Sequence, residues 1–310
     1  MGMDQGAASS TERDARGRAE TWALAVLIAG ALSIAFSPIF VRLSEIGPTA
    51  TAFHRVFLAL PALFLLLGVD GRRASRHRRP ASLRDYAGLV LAGLFFAGDL
   101  AFWHWSIAFT TVANATLFPN MAPIFVTLAG FLFFGERFSR LFLLGLAVAV
   151  AGAVTLMGES VTVSADNLRG DVLGLVTAVF YAAYLMAVGR LRAHFSTATI
   201  MTWSTATAAI ALVPVTLASG EGFLAASFYG WGVLVALALV SQVMGQSLIA
   251  YALAHLPAAF SSVSLLVQPV AAAVLGWMIF AEALGPVQAA GGAAILTGIF
   301  LARHANRRAD

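Results

Sequence analysis

The sequence has no cysteine and no lysine, and charged residues of all kinds make up only 11% of its 310 positions. Without cysteine the chain has no disulfide and no thiolate metal site. Without lysine it has no GxxxxGK[ST] phosphate loop, so ATP cannot drive it. An ordinary soluble domain carries about 25% charged residues, whereas 60% of these residues are hydrophobic. The sequence therefore predicts a protein that lies in a lipid bilayer.

Signatures of catalysis are missing as well. The chain contains no GxSxG or HExxH motif, and FAGD at 96–99 lacks the first glycine and the partner aspartate of an intramembrane aspartyl protease. All nineteen basic residues are arginines that lie between apolar blocks, which is typical of membrane topology rather than of nucleic-acid binding. We therefore expect neither an enzyme nor a nucleic-acid-binding protein, with no catalytic residue, no metal and no cofactor.

Long apolar runs fill most of the chain. A membrane-spanning helix needs about 20 mostly apolar residues, and ten segments meet this requirement. They are 22–41, 48–68, 86–108, 112–134, 140–158, 170–190, 198–218, 229–254, 257–280 and 285–302. Because these segments are apolar on all sides, they predict helices rather than barrel strands. The predicted fold class is an all-α integral membrane protein of ten transmembrane helices, with a disordered cytoplasmic tail at 1–21 and a short one at 304–310.

The arginines also predict the orientation. With the N-terminus in the cytoplasm, sixteen of the nineteen arginines lie on the cytoplasmic side, and only Arg42, Arg55 and Arg169 lie on the outer side. Cytoplasmic loops carry the excess of basic residues in membrane proteins. We therefore expect both termini in the cytoplasm.

The two halves of the chain repeat one another. A shift of 146 residues superimposes Pro123 on Pro269, Glu136 on Glu282, Gly145 on Gly291 and Gly152 on Gly298. The two copies, 22–158 and 170–303, each contain five spans. Because five is an odd number, consecutive copies must lie in opposite orientations in the membrane. Inverted repeats of this kind are typical of transporters that alternate access between two sides.

Two matching segments interrupt their spans with proline and an amide side chain. LFPNMAPIFV at 117–126 carries Pro119, Asn120 and Pro123, and LLVQPVAAAV at 265–274 carries Gln268 and Pro269. Interrupted helices at matching positions of two repeats indicate a binding site near the membrane midplane, where freed backbone groups can line a cavity. The alternative is that the prolines only kink the helices for packing.

Asp99 is the acidic residue that lies well inside a span. A central carboxylate costs roughly 2.5–3.5 kcal/mol on insertion scales, so it should face a cavity or a partner. Counting at 1.5 Å per residue from the outer ends of their spans, Asp99 and Arg55 lie at similar depth, and we expect them to pair, with His54 or His104 nearby. The pair is either a structural link between helices or part of the site, where Asp99 would couple protons or bind a substrate ammonium.

Other polar and aromatic residues inside the spans complete the candidate site. The substrate-binding candidates are Ser33, Ser37, Asp99, Trp103, Asn120, Tyr181, Tyr184, Gln242, Gln246 and Gln268, and the gating or kink candidates are Pro38, Pro119, Pro123 and Pro269. Aromatic walls with a few polar groups suit a small amphiphile with a zwitterionic head. Each aromatic residue taken alone is also compatible with helix packing or an interfacial belt.

The spacing of the repeated motif resembles a known family. Pro123–Gly135–Glu136 corresponds to Pro269–Ala281–Glu282, and the aromatic-rich stretches WHWSIAFTTVANAT (103–116) and YALAHLPAAFSSV (251–263) precede them. From residue 22 to 303 the chain resembles the EamA-type members of the drug/metabolite transporter superfamily. The resemblance implies ten helices in two inverted five-helix halves and the export of small metabolites. Glu136 and Glu282 would serve at most as a conformational latch, and capping or loop pairing is their alternative role.

Within that superfamily the chain looks most like bacterial inner-membrane exporters of amino acids, including aromatic ones. The expected function is export of aromatic or neutral amino acids by alternating access, either by facilitated diffusion or in exchange for protons. The alternative is a multidrug or cation efflux transporter of broad specificity. The expected partners are the small-molecule substrate and the lipid bilayer, and we expect a monomer or a weak homodimer.

Overall fold

Helices make up nearly all of the computed structural model, which describes residues 4–72, 77–110, 116–157, 168–282 and 284–309. The helices are α1 (Asp4–Ala35), α2 (Ser37–Leu43), α3 (Pro48–Phe57), α4 (Leu60–Arg72), α5 (Leu83–Phe109), a 3-10 turn (Phe118–Met121), α6 (Ala122–Phe134), α7 (Arg140–Met157), α8 (Leu168–Leu191), α9 (Thr197–Ser219), α10 (Phe228–Ala236), a π-helix (Leu237–Gln246), α11 (Ser247–Ala252), α12 (Ala258–Ser264), α13 (Val267–Phe280) and α14 (Pro286–Ala309). No strand occurs within these described ranges, so the protein is all-helical.

Eight helical stretches are long and apolar enough to cross a membrane, so the protein is a multi-pass membrane protein. The other two predicted spans are 112–134 and 285–302. In the first, residues 111–115 lie outside the described part of the chain and the apolar helix Phe118–Phe134 is shorter. The second corresponds to α14, where polar residues and glycines dilute the hydropathy.

In the segment 1–21, for which the sequence predicts a disordered tail, the structure has a helix from Asp4 onwards, because α1 begins there and runs into the first span. The C-terminal tail is helical in the same way, since α14 continues to Ala309. Both segments are rich in alanine, arginine and other good helix formers. A helix that is already nucleated in the membrane extends through such residues at little cost.

The prolines of the two repeats break their helices by the same hydrogen-bond change. Pro123 has no N–H to donate to the carbonyl of Pro119, and the N–H of Ala122 bonds that carbonyl instead. Pro269 likewise cannot donate to the carbonyl of Leu265, and the N–H of Gln268 donates to that carbonyl instead, at 2.9 Å. In each half, a hydrogen bond that spans three residues replaces the usual helical bond that spans four, as in a 3-10 turn. Both helices therefore kink one turn before the repeated proline.

Other helix irregularities differ between the halves. Pro38 lies at the start of α2 and separates it from α1, and Pro61 follows the break between α3 and α4. Pro214 lies inside α9 without ending it. The stretch Leu237–Gln246 is a π-helix, a form that is rare and concentrated at functional sites.

One end of the bundle, which we call the Glu45 end, gathers the turns that follow α2, α9 and α13. Glu45 accepts hydrogen bonds from the backbone N–H groups of Ala226 and Ser227 and from the Ser227 hydroxyl. The Ser227 hydroxyl is the main cause that lowers the pKa of Glu45 below its ordinary value. Arg42 forms an ion pair with Glu282 at this same end. These contacts place the three turns on one side of the bundle.

The opposite end, the Arg78 end, gathers the turns that precede α5 and follow α6 and α8. The guanidinium of Arg78 donates to both carboxylate oxygens of Asp85, at 3.0 and 2.5 Å, and lies 5.0 Å from the Phe195 ring centre. Arg190 lies over the ring of Phe134, with Cζ 3.3 Å from the ring centre. The start of α5, the end of α6 and the end of α8 therefore share this end.

The repeated glycines bring α7 and α14 into direct backbone contact. A Cβ atom at Gly145 would lie 2.7 Å from the carbonyl oxygen of Gly298, and one at Gly152 would lie 2.8 Å from that of Gly291. The earlier glycine of α7 meets the later glycine of α14, so the two helices run antiparallel. Small residues allow such close helix contacts in membranes.

Candidate functional site

A cavity of about 160 Å³ lies in the middle of the bundle, where broken helices meet. It is lined by Ile34, Ala35, Ser37, Pro38, Arg55, Asp99, Leu100, Trp103, Thr116, Pro119, Asn120, Thr177, Tyr181, Gln246, Gln268, Pro269 and Ala272. Its space is equivalent to on the order of ten water molecules, which is enough for a molecule of amino-acid size. Both repeated helix breaks contribute to the wall, through Pro119 and Asn120 in one half and through Gln268 and Pro269 in the other.

Arg55 is held in the wall by two neighbouring helices. Its Nε donates to Oε1 of Gln242 at 3.2 Å, and its Nη1 donates to the Ser37 hydroxyl at 3.2 Å. Only 7% of the residue is exposed, and it borders the cavity. The positive charge is therefore fixed in place and directed into the cavity.

Asp99 brings a carboxylate to the same cavity. It lies deep in α5 but keeps part of its surface accessible, and that surface belongs to the cavity wall. The predicted Arg55–Asp99 pair takes a different form, because the guanidinium bonds Gln242 and Ser37 rather than the carboxylate. Arg55 and Asp99 attract one another electrostatically but form no direct ion pair in the described part of the structure.

Aromatic rings form another part of the wall and its floor. Trp103 and Tyr181 border the cavity from α5 and α8. One turn further towards the Arg78 end, the rings of Phe96 and Tyr184 stack with their centres 4.8 Å apart. Phe96 and Tyr184 are each only 1% exposed. This stacked pair separates the cavity from the Arg78 end on the side of α5 and α8.

Two amide groups in the wall carry polar atoms with no hydrogen-bond partner. They are the carbonyl oxygen of Gln246 and the amide nitrogen of Gln268, both of them buried atoms. Asn120 differs, because its amide nitrogen donates to the carbonyl of Thr116 at 2.8 Å. A buried polar atom without a partner is costly, so the carbonyl of Gln246 points to a polar ligand or ordered water in the cavity, whereas the amide of Gln268 also interacts with the nearby Tyr181 hydroxyl outside normal hydrogen-bond geometry.

Most of the predicted site residues meet at this cavity. Those that border it are Ser37, Pro38, Arg55, Asp99, Trp103, Pro119, Asn120, Tyr181, Gln246, Gln268 and Pro269. Those that do not border it are Ser33, Pro123, Tyr184 and Gln242. The Ser33 hydroxyl bonds the carbonyl of Ala29 in its own helix at 2.8 Å. Pro123 is buried in α6 behind the break, and the Tyr184 hydroxyl meets the Met201 sulfur at 3.8 Å.

The two histidines named with the pair lie outside the cavity wall. Nδ1 of His54 bonds the carbonyl of Ala50 at 2.8 Å, and the ring lies edge-on to Trp231. Nδ1 of His104 bonds the carbonyl of Leu100 at 2.5 Å, while its buried Nε2 has no partner. Among the described residues, no three His, Asp or Glu side chains come together as a metal site.

Sequence reasoning missed several residues of the wall. Thr177 lies one turn before Tyr181 on the same helix face, and this spacing could have identified it. Thr116 shares its turn with Asn120 in the same way. Ile34, Leu100 and Ala272 carry no such signal, because they resemble the other apolar residues of their spans.

Comparison with known proteins gives a consistent family match. The EamA-like transporter family matches residues 21–158 and again residues 168–303. The pseudopaline exporter CntI of Pseudomonas aeruginosa is 29% identical over 275 residues, which are 87% of this chain and 93% of the relative. A probable terminal-alkyne amino-acid exporter of Streptantibioticus cattleyicolor is 27% identical over 284 residues, 90% of this chain and 92% of the relative.

A solved crystal structure shares the fold. It superimposes with a TM-score of 0.78 over 94% of this chain and 99% of the other, at 20% sequence identity.

Proposed function

Because the chain belongs to the EamA-like transporter family, we propose that it is a secondary transporter that exports amino acids with neutral or aromatic side chains across the bacterial inner membrane. The observation that carries this proposal is the central cavity, where Arg55 and Asp99 present opposite charges beside Trp103 and Tyr181. An amino acid offers the complementary set, which is a carboxylate, an ammonium and an apolar side chain. Two relatives are named as exporters, one of them of an amino acid, which supports the proposal.

The proposed mechanism is alternating access between two five-helix halves in opposite orientations. In the antiparallel contact of α7 with α14, Gly145 meets Gly298 and Gly152 meets Gly291. A two-fold axis that exchanges the two halves would convert one of these contacts into the other, so the contact supports the arrangement. The kinks before Pro123 and Pro269 would serve as hinges at the cavity wall. The excess of arginines supports an orientation with the Arg78 end and both termini in the cytoplasm, and the Phe96–Tyr184 stack would then close the cytoplasmic side.

The alternative function is broad efflux of cationic drugs. Asp99 and the aromatic wall would suit a cation. Arg55 opposes it, because a buried guanidinium in the same cavity repels a cation that lacks a carboxylate. We therefore favour a zwitterionic substrate.

The test is efflux from proteoliposomes that contain the purified full-length chain. The vesicles are loaded with labelled phenylalanine, tryptophan, leucine or glutamate, or with the cationic dye ethidium, and release is followed with and without a pH gradient. We expect saturable release of the neutral and aromatic amino acids and counterflow when unlabelled amino acid is outside. Release of ethidium alone would replace amino-acid export with drug efflux. A response to the pH gradient distinguishes proton exchange from facilitated diffusion.

A further inference from the structure

The guanidinium of Arg55 is anchored through Nε and Nη1 and is open at Nη2, which we call its open edge. Arginine has five N–H donors in a planar fork. Nε and Nη1 are engaged by Gln242 and Ser37, whereas no described residue accepts a hydrogen bond from Nη2. The residue borders the cavity, so the open edge is available to a ligand there.

Gln242 fixes the direction of that open edge. It is fully buried, and its amide nitrogen donates to the hydroxyl of Thr205 at 3.0 Å. Its carbonyl oxygen must face Arg55, because the reverse orientation would bring an amide donor against a guanidinium donor. Thr205 in α9, Gln242 in the π-helix and Ser37 in α2 therefore hold the guanidinium from three elements.

Among the described residues, no carboxylate forms a direct ion pair with Arg55. A buried charge is costly unless it is paired and hydrogen-bonded, and its partners here are neutral groups. Asp99 borders the same cavity and interacts with Arg55 as a charge, without a direct ion pair. A bound carboxylate would satisfy the open edge with charge-assisted hydrogen bonds, which are about twice as strong as neutral ones.

We propose that Arg55 is the carboxylate receptor of the transport cavity and that Gln242 and Ser37 are positioning residues that direct its open edge at the ligand. This inference rests on the proposed function, since it assigns the substrate carboxylate to one residue. It narrows the ligand class to carboxylate-bearing amines, because Asp99 opposes simple anions and Arg55 opposes simple cations.

The test compares phenylalanine with phenylalaninamide, which keeps the ammonium and the ring but has no carboxylate. Binding of each probe to the purified protein in detergent is measured by the rise of the unfolding temperature with ligand concentration. Wild type should bind phenylalanine more tightly than the amide. In Arg55→Gln, phenylalanine should bind about tenfold to a hundredfold more weakly, as expected for loss of a charged hydrogen bond, and the amide should bind no more weakly than before.

Two further variants separate recognition from folding. Arg55→Lys keeps the charge but loses the fork, so it should retain part of the preference for phenylalanine if the Gln variant does not fold. Arg140→Gln removes an arginine that is exposed at the start of α7 and is the matched control, which should behave as wild type.

The positioning role of Gln242 has its own readout. Gln242→Leu should raise KM for phenylalanine efflux with little change in kcat and should leave binding of the amide unchanged. Gln242→Asn keeps an amide carbonyl one methylene shorter and should recover part of KM, whereas a glutamate at this position would pair with Arg55 and neutralise it. If Gln242 had only a structural role, Gln242→Leu would weaken the binding of phenylalanine and of the amide equally, and the conservative variant would not restore the preference for phenylalanine.

The outcomes distinguish this inference from the proposed function. Equal binding of the two probes by wild type, no binding of either, or a preserved preference in Arg55→Gln overturns the carboxylate assignment. An Arg55-dependent preference in binding without efflux of any amino acid from proteoliposomes supports the assignment and overturns the export function.

Discussion

Asp99 shows how a single acidic residue in a membrane helix can indicate a cavity inside the bundle. Its carboxylate would be costly in the bilayer core, and the structure gives it a cavity surface rather than a direct ion pair with Arg55. Of the roles that the sequence leaves open, we favour binding of a substrate ammonium.

The prediction for Asp99→Asn follows from that role. The variant should fold with an unfolding temperature near that of wild type, because it removes a buried charge that lacks a direct partner. It should bind phenylalanine about tenfold more weakly, since a charge-assisted hydrogen bond is lost, whereas N-acetylphenylalanine, which has no ammonium, should bind no more weakly. Titration of both ligands against the purified protein checks this. Equal weakening of both, or collapse of the fold, would favour a structural link between helices.

A second prediction concerns the residues that end the repeated helices. Gly135 and Ala281 occupy equivalent positions, and both have left-handed backbone angles, with φ of 66° and 55°. This conformation costs a residue with a Cβ roughly 1–2 kcal/mol, and glycine avoids that cost. Ala281→Gly should therefore raise the free energy of unfolding by up to about 1 kcal/mol, and Gly135→Ala should lower it by about the same amount. Thermal unfolding in detergent checks the opposite signs, and two shifts of the same sign would contradict the strain argument.

At this scale the sequence identifies polar residues in apolar spans but not the face on which each one lies. Ser33 and Tyr184 were expected in the cavity, and each lies about one turn from a residue that borders it. Ser33 satisfies its hydroxyl within its own helix, and Tyr184 stacks on Phe96 below the cavity. Helix rotation and depth decide these outcomes, and both depend on packing partners that spacing does not reveal.

At the scale of elements, α7 and α14 form the tightest helix contact, and glycine is required in it. An alanine Cβ at Gly152 would lie 2.6 Å from the backbone nitrogen of Ile295. Gly232, in α10, has nothing within 4 Å of the same position. Gly152→Ala should therefore destabilise the protein by about 1–3 kcal/mol through overpacking.

Gly232→Ala is the matched control, and it should stabilise the protein by roughly 0.5–1 kcal/mol, the ordinary advantage of alanine in a helix. Unfolding temperatures of the two variants in the same detergent check the pair. If Gly152→Ala is as stable as Gly232→Ala, the helices do not approach one another as closely as the structure indicates.

The helix breaks show what could be predicted about elements and what could not. Pro123 and Pro269 were recognised because the repeat aligns them, and their effect follows from the missing N–H. Pro61 also lies next to a break, just after it, whereas Pro214 remains inside a helix. Proline alone does not distinguish these cases, because neighbouring helices decide whether the freed carbonyl finds another donor. The π-helix at Leu237–Gln246 has no sequence signal that we recognise.

At the scale of the whole molecule, the proposed inverted arrangement makes a direct prediction about topology. The turn after α6 lies at the Arg78 end, and its repeat equivalent after α13 lies at the Glu45 end. The chain has no native cysteine, so single cysteines can be introduced at Arg137 and Leu284. In sealed inside-out vesicles a membrane-impermeant maleimide should label Arg137→Cys and not Leu284→Cys, and in right-side-out vesicles the reverse. Labelling of both from one side would exclude inverted repeats.

The same symmetry relates two arginine contacts at the far ends of the kinked helices α6 and α13. We call them tethers: Arg42 with the end of α13, and Arg190 with the end of α6. At the Glu45 end, Arg42 lies 4.2 Å from the Phe280 ring centre and pairs with Glu282. At the Arg78 end, Arg190 lies over Phe134, but the described residues include no ion pair between Arg190 and Glu136. The Arg42–Glu282 ion pair is formed and the equivalent Arg190–Glu136 pair is not. Such a difference is expected when a symmetric transporter occupies one of its two conformations, and the Arg190–Glu136 pair should form in the other conformation.

Removing either arginine should therefore shift the two conformations in opposite directions. Arg42→Gln should slow the labelling of a cavity cysteine at position 120 from the Glu45 end, and Arg190→Gln should accelerate it. An exposed ion pair contributes at most about 1 kcal/mol, so each rate should change by no more than about fivefold. Labelling kinetics of Asn120→Cys alone and combined with each substitution measure both shifts. Changes of the same sign would mean that the tethers only stabilise the bundle and do not select between its states.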